Sequence, residues 1–149
     1  MSVAIRLIDE ADEQACAGLR VTKDQASLIA PNSTSLEWAR SSPRCVPLGI
    51  HLGDTLVGFA MYEPRGNGVY SVHRFMIDAD YQRRGIGRAA MQLVMREIQG
   101  QGGVTIYLSL RPENVAARQL FTGLGFIEHE VEADGEVVYR YGPVRSFPL

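Results

Sequence analysis

The residues of this chain best suited to chemistry are crowded into Gln82-Arg83-Arg84-Gly85-Ile86-Gly87-Arg88. A guanidinium forks onto phosphate oxygens, and three of them within six residues suit a diphosphate better than a lone carboxylate. Glycines let the backbone approach a ligand closely. If a helix starts here, its first amides have no intrahelical partner and its dipole favours negative charge at the same place. The spacing therefore predicts a cradle for a phosphate-bearing molecule.

Such a cradle needs a strand to deliver it and a helix to receive it. Residues 69–77 are apolar and partly alternating, which predicts the strand. From Gly85 to about Gln99, Ile86, Ala90, Leu93, Val94 and Ile98 recur at helical spacing, and Gln101-Gly102-Gly103 ends the run. Residues 104–110 read as a buried strand, parallel to 69–77 through a right-handed crossover. Upstream, the pattern predicts a strand at 3–8, a helix at 10–19 capped by Asp9, a helix at 22–29 stopped by Pro31-Asn32-Ser33, and a short helix at 35–42 capped by Ser35. Strands at 46–52 and 55–62 join through Gly53-Asp54, and residues 64–68 form a turn. Downstream, Pro112-Glu113-Asn114 opens a helix with Ala117, Leu120, Phe121 and Leu124 inward, and strands at 126–132 and 137–141 form a hairpin around Asp134-Gly135. The fold class is α/β (α+β), a mixed sheet with helices on both faces.

The chain has 149 residues, 46% of them hydrophobic and 21% charged, with a net charge of −2. That is the length of one domain, 1–149, and the charge gives no reason to expect nucleic acid as a partner. No apolar run approaches the ~20 residues that span a bilayer, so no membrane partner is expected. Cys16 and Cys45 fit no metal-ligand spacing, which predicts no metal site and two reduced thiols in a cytoplasmic protein.

Gly85-Ile86-Gly87-Arg88-Ala89-Ala90 matches the dinucleotide fingerprint G-x-G-x-x-A, but its surroundings do not. A dinucleotide unit puts the fingerprint after its first strand and an acidic residue at the end of the next. Here antiparallel strands come first, and the next strand ends in Leu108-Ser109-Leu110. The Lys followed by Ser or Thr of a nucleoside-triphosphate loop is also missing. The combination of Gln-Arg-Arg-Gly-Ile-Gly after a strand with Glu113-Asn114-Val115-Ala116-Ala117 and Leu120-Phe121-Thr122-Gly123-Leu124-Gly125-Phe126 resembles the GNAT family of N-acetyltransferases. Gln25, Pro31-Asn32, Arg74-Phe75-Met76-Ile77-Asp78 and Gly135-Glu136-Val137-Val138 resemble its bacterial spermine and spermidine branch.

The resemblance implies a sheet of about seven mostly antiparallel strands, splayed at a central parallel pair, and acetyl-coenzyme A as co-substrate. Gln82, Arg83, Arg84, Gly85, Ile86, Gly87 and Arg88 would hold the pyrophosphate. The backbone of Phe75, Met76 and Ile77 would pair with the pantetheine arm, and an amide near Phe75 would polarise the thioester carbonyl. Asn114 would lie near the arm or serve as a simple helix cap. The family position for a base falls near Ser71 and His73, with Glu63 as an alternative and a relayed water as another. Phe121 stands where the family often has a tyrosine acid, so Tyr107, Tyr139 or water would have to replace that donor. The acceptor would be a primary amine, most simply a polyamine met by carboxylates among Glu37, Glu63, Asp78 and the acidic hairpin Glu128, Glu130, Glu132, Asp134 and Glu136. The alternatives are another amine, such as an aminoglycoside, an amino-acid derivative or a protein N-terminus, or a catalytically weak acyl-coenzyme A-binding regulatory module. Relatives of this kind are often dimers, and the apolar tail 144–149 offers a surface for a partner.

Overall fold

A computed structural model describes residues 2–22, 25, 26 and 31–147 of the chain. The elements run β1 (Val3–Leu7), α1 (Glu10–Gly18), α2 (Asn32–Ser41), β2 (Val46–Leu52), β3 (Thr55–Gly66), β4 (Val69–Ile77), a 3-10 turn at Ala79–Tyr81, α3 (Ile86–Gly100), β5 (Thr105–Leu110), α4 (Val115–Gly123), β6 (Ile127–Val131) and β7 (Val137–Tyr141). They build one seven-stranded sheet in the order β1-β2-β3-β4-β5-β7-β6. All its neighbours are antiparallel except β4 and β5.

Alternation along the strands makes two apolar faces. One receives α3 through Ile86, Ala90, Met91, Val94 and Ile98, together with Phe121 and Phe126. The other receives α1 and α2: Cys16 and Leu36 meet Phe59, Met61, Met76 and Cys45. Within β3, Ala60 and Tyr62 serve the first face and Phe59 and Met61 the second. No helix among the described residues is long and apolar enough to cross a membrane.

Three expectations for local structure change. Ser35 does not cap a helix: α2 begins at Asn32, after Pro31 at φ −57°. A proline ring pre-sets the dihedral at which a helix starts, so Pro31 opens this helix where the sequence suggested a stop. β3 runs on through Pro64 to Gly66, with an irregular register at Pro64 that tolerates the missing amide. The turn is then confined to Gly66-Asn67-Gly68, all at positive φ. The helix expected at 22–29 falls largely outside the described residues; Thr22 accepts from the amides of Gln25 and Ala26.

The feature that positions the site is an incomplete pairing. β4 and β5 are in register from Val69 opposite Thr105 to Val72 opposite Leu108, and their pairing stops there. Beyond that point β4 is still held by β3, up to Ile77 opposite Gly58. β5 is still held by β7, up to Leu110 opposite Val137. Each strand keeps its outer neighbour and loses its inner one, so the sheet opens a gap between His73–Ile77 of one strand and Ser109–Leu110 of the other. Phe121 of α4 packs edge-on against Phe75, with ring centroids 5.9 Å apart, at the head of that gap.

Candidate active site

At the cradle, Gly85 takes φ +78° in the residue before α3, a conformation that favours glycine. The first α-helical bond of α3 runs from the Ala89 amide to the Gly85 carbonyl at 3.2 Å. The amides of Ile86, Gly87 and Arg88 therefore precede any intrahelical acceptor. Arg83 also lies at positive φ, +63°, which costs an ordinary residue about 1–2 kcal/mol. Backbone strain of this sort persists where the surroundings impose it, often at a ligand clamp. Arg84 stacks on Tyr81 at 5.3 Å, and Arg88 reaches toward the Gly123 carbonyl at 3.5 Å. All three guanidinium groups are exposed, and none has a carboxylate within salt-bridge range among the described residues. Gln82 does a different job. Its side chain donates to the Ile77 carbonyl at 2.9 Å and to Gln25 at 3.0 Å, tying the loop to the end of β4.

Two cavities meet in the gap. One, of about 360 Å³, is walled by Phe75, Met76 and Ile77 of β4, by Gln82, Arg83 and Gly87 of the cradle, and by Ala116, Ala117 and Leu120 of α4. The other, of about 210 Å³, is walled by Val72, His73, Arg74, Leu108, Ser109, Arg111 and Glu136. Phe75, Asn114, Ala117 and Phe121 border both. Asn114 is a helix cap, accepting from the Ala117 amide at 3.3 Å, and the same residue lines the junction. Phe121 is 3% exposed and also packs on Phe126. Tyr107 borders a third cavity with Ser71, His73 and Glu136, whereas Tyr139 is buried and borders none of these three.

The reactive side chains are brought together by a β-bulge. Met61 pairs with Arg74 and Tyr62 with Val72, so His73 is an extra residue on β4. A bulge reverses the alternation beyond it and re-aims the inserted side chain. Val72 and Phe75 thus belong to the α3 face, while Ser71, His73 and Arg74 face the side of α2. There His73 Nε2 lies 2.8 Å from Glu63 Oε1, Trp38 of α2 packs against the imidazole with ring centroids 4.4 Å apart and planes tilted by 43°, and Arg74 donates to Ser35 Oγ at 3.0 Å.

Glu63 and His73, read from the sequence as alternatives, form one pair. Burial pushes the imidazole below its ordinary value, although Glu63 pulls the other way. The hydrogen bond from His73 holds the Glu63 carboxyl below the usual range, opposed by its burial and helped by Arg65 and Arg44. The pair is thus a neutral imidazole against a carboxylate, with Nε2–H donating to Glu63 and a lone pair left on Nδ1. Ser71 lies opposite Glu63 on β3 and borders the third cavity with Tyr107.

Other expected groups lie elsewhere. Glu37 belongs to a surface depression with Glu10, Glu13 and Arg40, and Asp78 accepts from the Arg20 amide at 2.8 Å. Of the acidic hairpin, Glu136 borders the gap, and Glu132 accepts from Ser109 Oγ at 3.1 Å at its rim. β6 is exposed along its whole length. Trp38 and Cys45 also lie beside the pair, with no signal in the sequence that places them there. Cys45 fits no ligand spacing along the chain, yet ligand atoms of Cys45, Glu63 and His73 lie within 4.8 Å of one another. In the described part of the tail, Phe147 packs on Tyr107 and under Arg65, and Asn67 donates to the Ser146 carbonyl.

A mixed sheet that splays at a central parallel pair, with a turn rich in glycine and arginine at the helix after it, is a fold shared with solved acetyltransferases. An N-acetyltransferase from Thermoplasma acidophilum, solved in complex with coenzyme A, superposes with a TM-score of 0.75 at 15% identity, covering 96% of this chain and all of that one. Residues 6–126 match the acetyltransferase (GNAT) family, and the chain belongs to that family as an acetyl-coenzyme A-dependent N-acetyltransferase. The spermine/spermidine N(1)-acetyltransferase of Bacillus subtilis is 31% identical over 93% of this chain and 97% of its own length. The N-alpha-acetyltransferase RimI of Mycobacterium tuberculosis is 36% identical over 83% of this chain and 78% of its own.

Proposed function

We propose that this protein acetylates a primary amine, a polyamine or diamine in the first instance, by direct attack within a ternary complex. The observation that carries the proposal is the Glu63–His73 pair at 2.8 Å, whose imidazole borders the cavity that meets the cradle's own. Acetyl-coenzyme A supplies an activated acyl carbon. The exposed guanidinium groups of Arg83, Arg84 and Arg88, with the amides at the start of α3, hold its pyrophosphate. The free edge of β4 at Phe75 and Met76 and the cavity beside α4 take its arm.

An alkyl ammonium titrates near ~10 and attacks only after losing a proton. Nδ1 of His73 receives that proton, and Glu63 stabilises the imidazolium that forms. Ser71, next on the same face, orients the amine or a relaying water. The acidic hairpin at the rim, Glu132 and Glu136 foremost, supports a polycationic acceptor, as does the likeness to the Bacillus enzyme. The likeness to the RimI protein supports a second reading, the α-amine of a peptide. Two unpaired buried thiols support a reducing compartment such as the cytoplasm, and a second copy of the chain belongs to the proposal as a partner.

The test is a panel of spermidine, spermine, diaminobutane, an aminoglycoside and Ala-initiated peptides with acetyl-coenzyme A. Acetylated polyamine is expected as the dominant product. Peptide-only acetylation would move the proposal to its second reading, and coenzyme A binding with no turnover on any amine would overturn it. His73→Gln and Glu63→Gln should each lower kcat/KM by about 10²-fold or more, and the double variant by little beyond the worse single one. Additive losses would separate the two residues.

A further inference from the structure

Cys45 plays no part in the transfer proposed above, yet it completes a constellation around the proposed base. We propose that Cys45, Glu63 and His73 form a site for a soft divalent cation of the zinc class, and that filling it silences acetyl transfer. Thiolate, imidazole and carboxylate are the donor set of zinc, and three protein ligands leave a fourth position open. The three come from separate segments: the residue before β2, the body of β3 and the bulge of β4. Their ligand atoms lie within 4.8 Å of one another, with imidazole and carboxylate at 2.8 Å. Tetrahedral zinc with bonds of ~2.0–2.3 Å holds its ligands about 3.3–3.8 Å apart, a spacing that small side-chain rotations supply here. Cys45 is 6% exposed, and the side chains of Glu63 and His73 are 18% and 16% exposed.

Arg65, 3.4 Å from Glu63, opposes a cation, as do Arg44 near Glu63 and Arg74 near His73, and the thiolate and carboxylate ligands offset part of that charge. On binding, the Cys45 thiol releases its proton to solvent and the sulfur electron pair goes to the metal. His73 Nε2 joins the metal as its proton moves to Nδ1 by a change of tautomer, and its hydrogen bond with Glu63 is lost, so imidazole and carboxylate no longer act together on an amine. Binding stands on the geometry alone, while the loss of turnover rests on the catalytic reading of the pair.

Cobalt(II) tests binding and zinc(II) tests turnover, both on the full chain. Cobalt(II) is expected to give a thiolate-to-metal charge-transfer band that zinc(II) abolishes, and Cys16→Ala should retain it. Cys45→Ala should lose the band and raise the zinc concentration that halves the initial rate by at least about tenfold. Rates are followed by acetylated product, because released coenzyme A itself binds zinc, and a chelator should restore them. No band in the folded protein, or an equal band in Cys45→Ala, would overturn the site. A Cys45-dependent band with undiminished turnover would overturn the silencing, and with it the catalytic role of the pair, while leaving the cation site standing.

Discussion

Arg83 joins two properties that a pair of substitutions separates: a charge facing the cradle and a backbone at φ +63°. Both Arg83→Ala and Arg83→Gly remove the guanidinium. Only the second relieves the left-handed conformation, which costs a residue with a Cβ about 1–2 kcal/mol. Glycine gives back part of that gain through the greater freedom of its unfolded chain, about 0.4–1 kcal/mol. The glycine variant should therefore be more stable than the alanine variant by about 1 kcal/mol, or roughly 3 °C in Tm for a chain of this size. Coenzyme A should bind both more weakly, by about tenfold, the effect of one charge-assisted hydrogen bond to phosphate. That loss should shrink at high salt. Thermal melts of the unliganded protein read the first effect, and calorimetric titration with coenzyme A reads the second. Equal melting temperatures would refute the strain argument. Unchanged affinity in both variants would refute the placement of the pyrophosphate at Arg83.

Phe121→Tyr puts a phenol where the two cavities meet and is expected to raise kcat if departure of the thiolate limits turnover; an unchanged kcat in a variant of normal Tm would show that no donor is needed. Gly58→Ala would place a methyl 2.6 Å from the Met76 carbonyl and 2.9 Å from the Ile77 side chain, so overpacking should cost about 1–3 kcal/mol and displace the β4 wall of the coenzyme cavity. A denaturant melt with unchanged midpoint would disprove that crowding. Asn114→Ala removes the cap of α4 and should cost about 1 kcal/mol; Asn114→Asp keeps an acceptor for the Ala117 amide and should restore the Tm. If both variants melt alike, the residue's role is confined to the cavities.

The cradle and the order of the elements are legible in the sequence because they rest on local rules. Glycine at positive φ, arginine chemistry, the 3.6-residue period of α3 and the turn signals at Gly53-Asp54 and Asp134-Gly135 each act over a few residues. The limits of that legibility are just as local. Pro31 can end one helix or begin another, and the residues around it carry no signal that decides, so the sequence pattern does not show that α2 starts at Asn32 and not at Ser35. Pro64 reads as a turn until a bulged register accommodates it within β3.

The acceptor side of the site belongs to the tertiary structure. Period-two alternation cannot reveal that His73 is an inserted residue, because a bulge is defined by pairing with another strand. Without it His73 and Arg74 would face opposite sides of the sheet, and only one of them could share α2's side with Glu63. The pairing of Glu63 with His73, the packing of Trp38 and the approach of Cys45 all join residues distant in sequence, whose contacts arise only when α2, β3 and β4 pack. The sequence by itself determined that a turn rich in glycine and arginine opens α3, since that turn is one continuous segment. Tertiary structure decided which side chains meet it, because a splayed strand pair and a bulge are relations between strands.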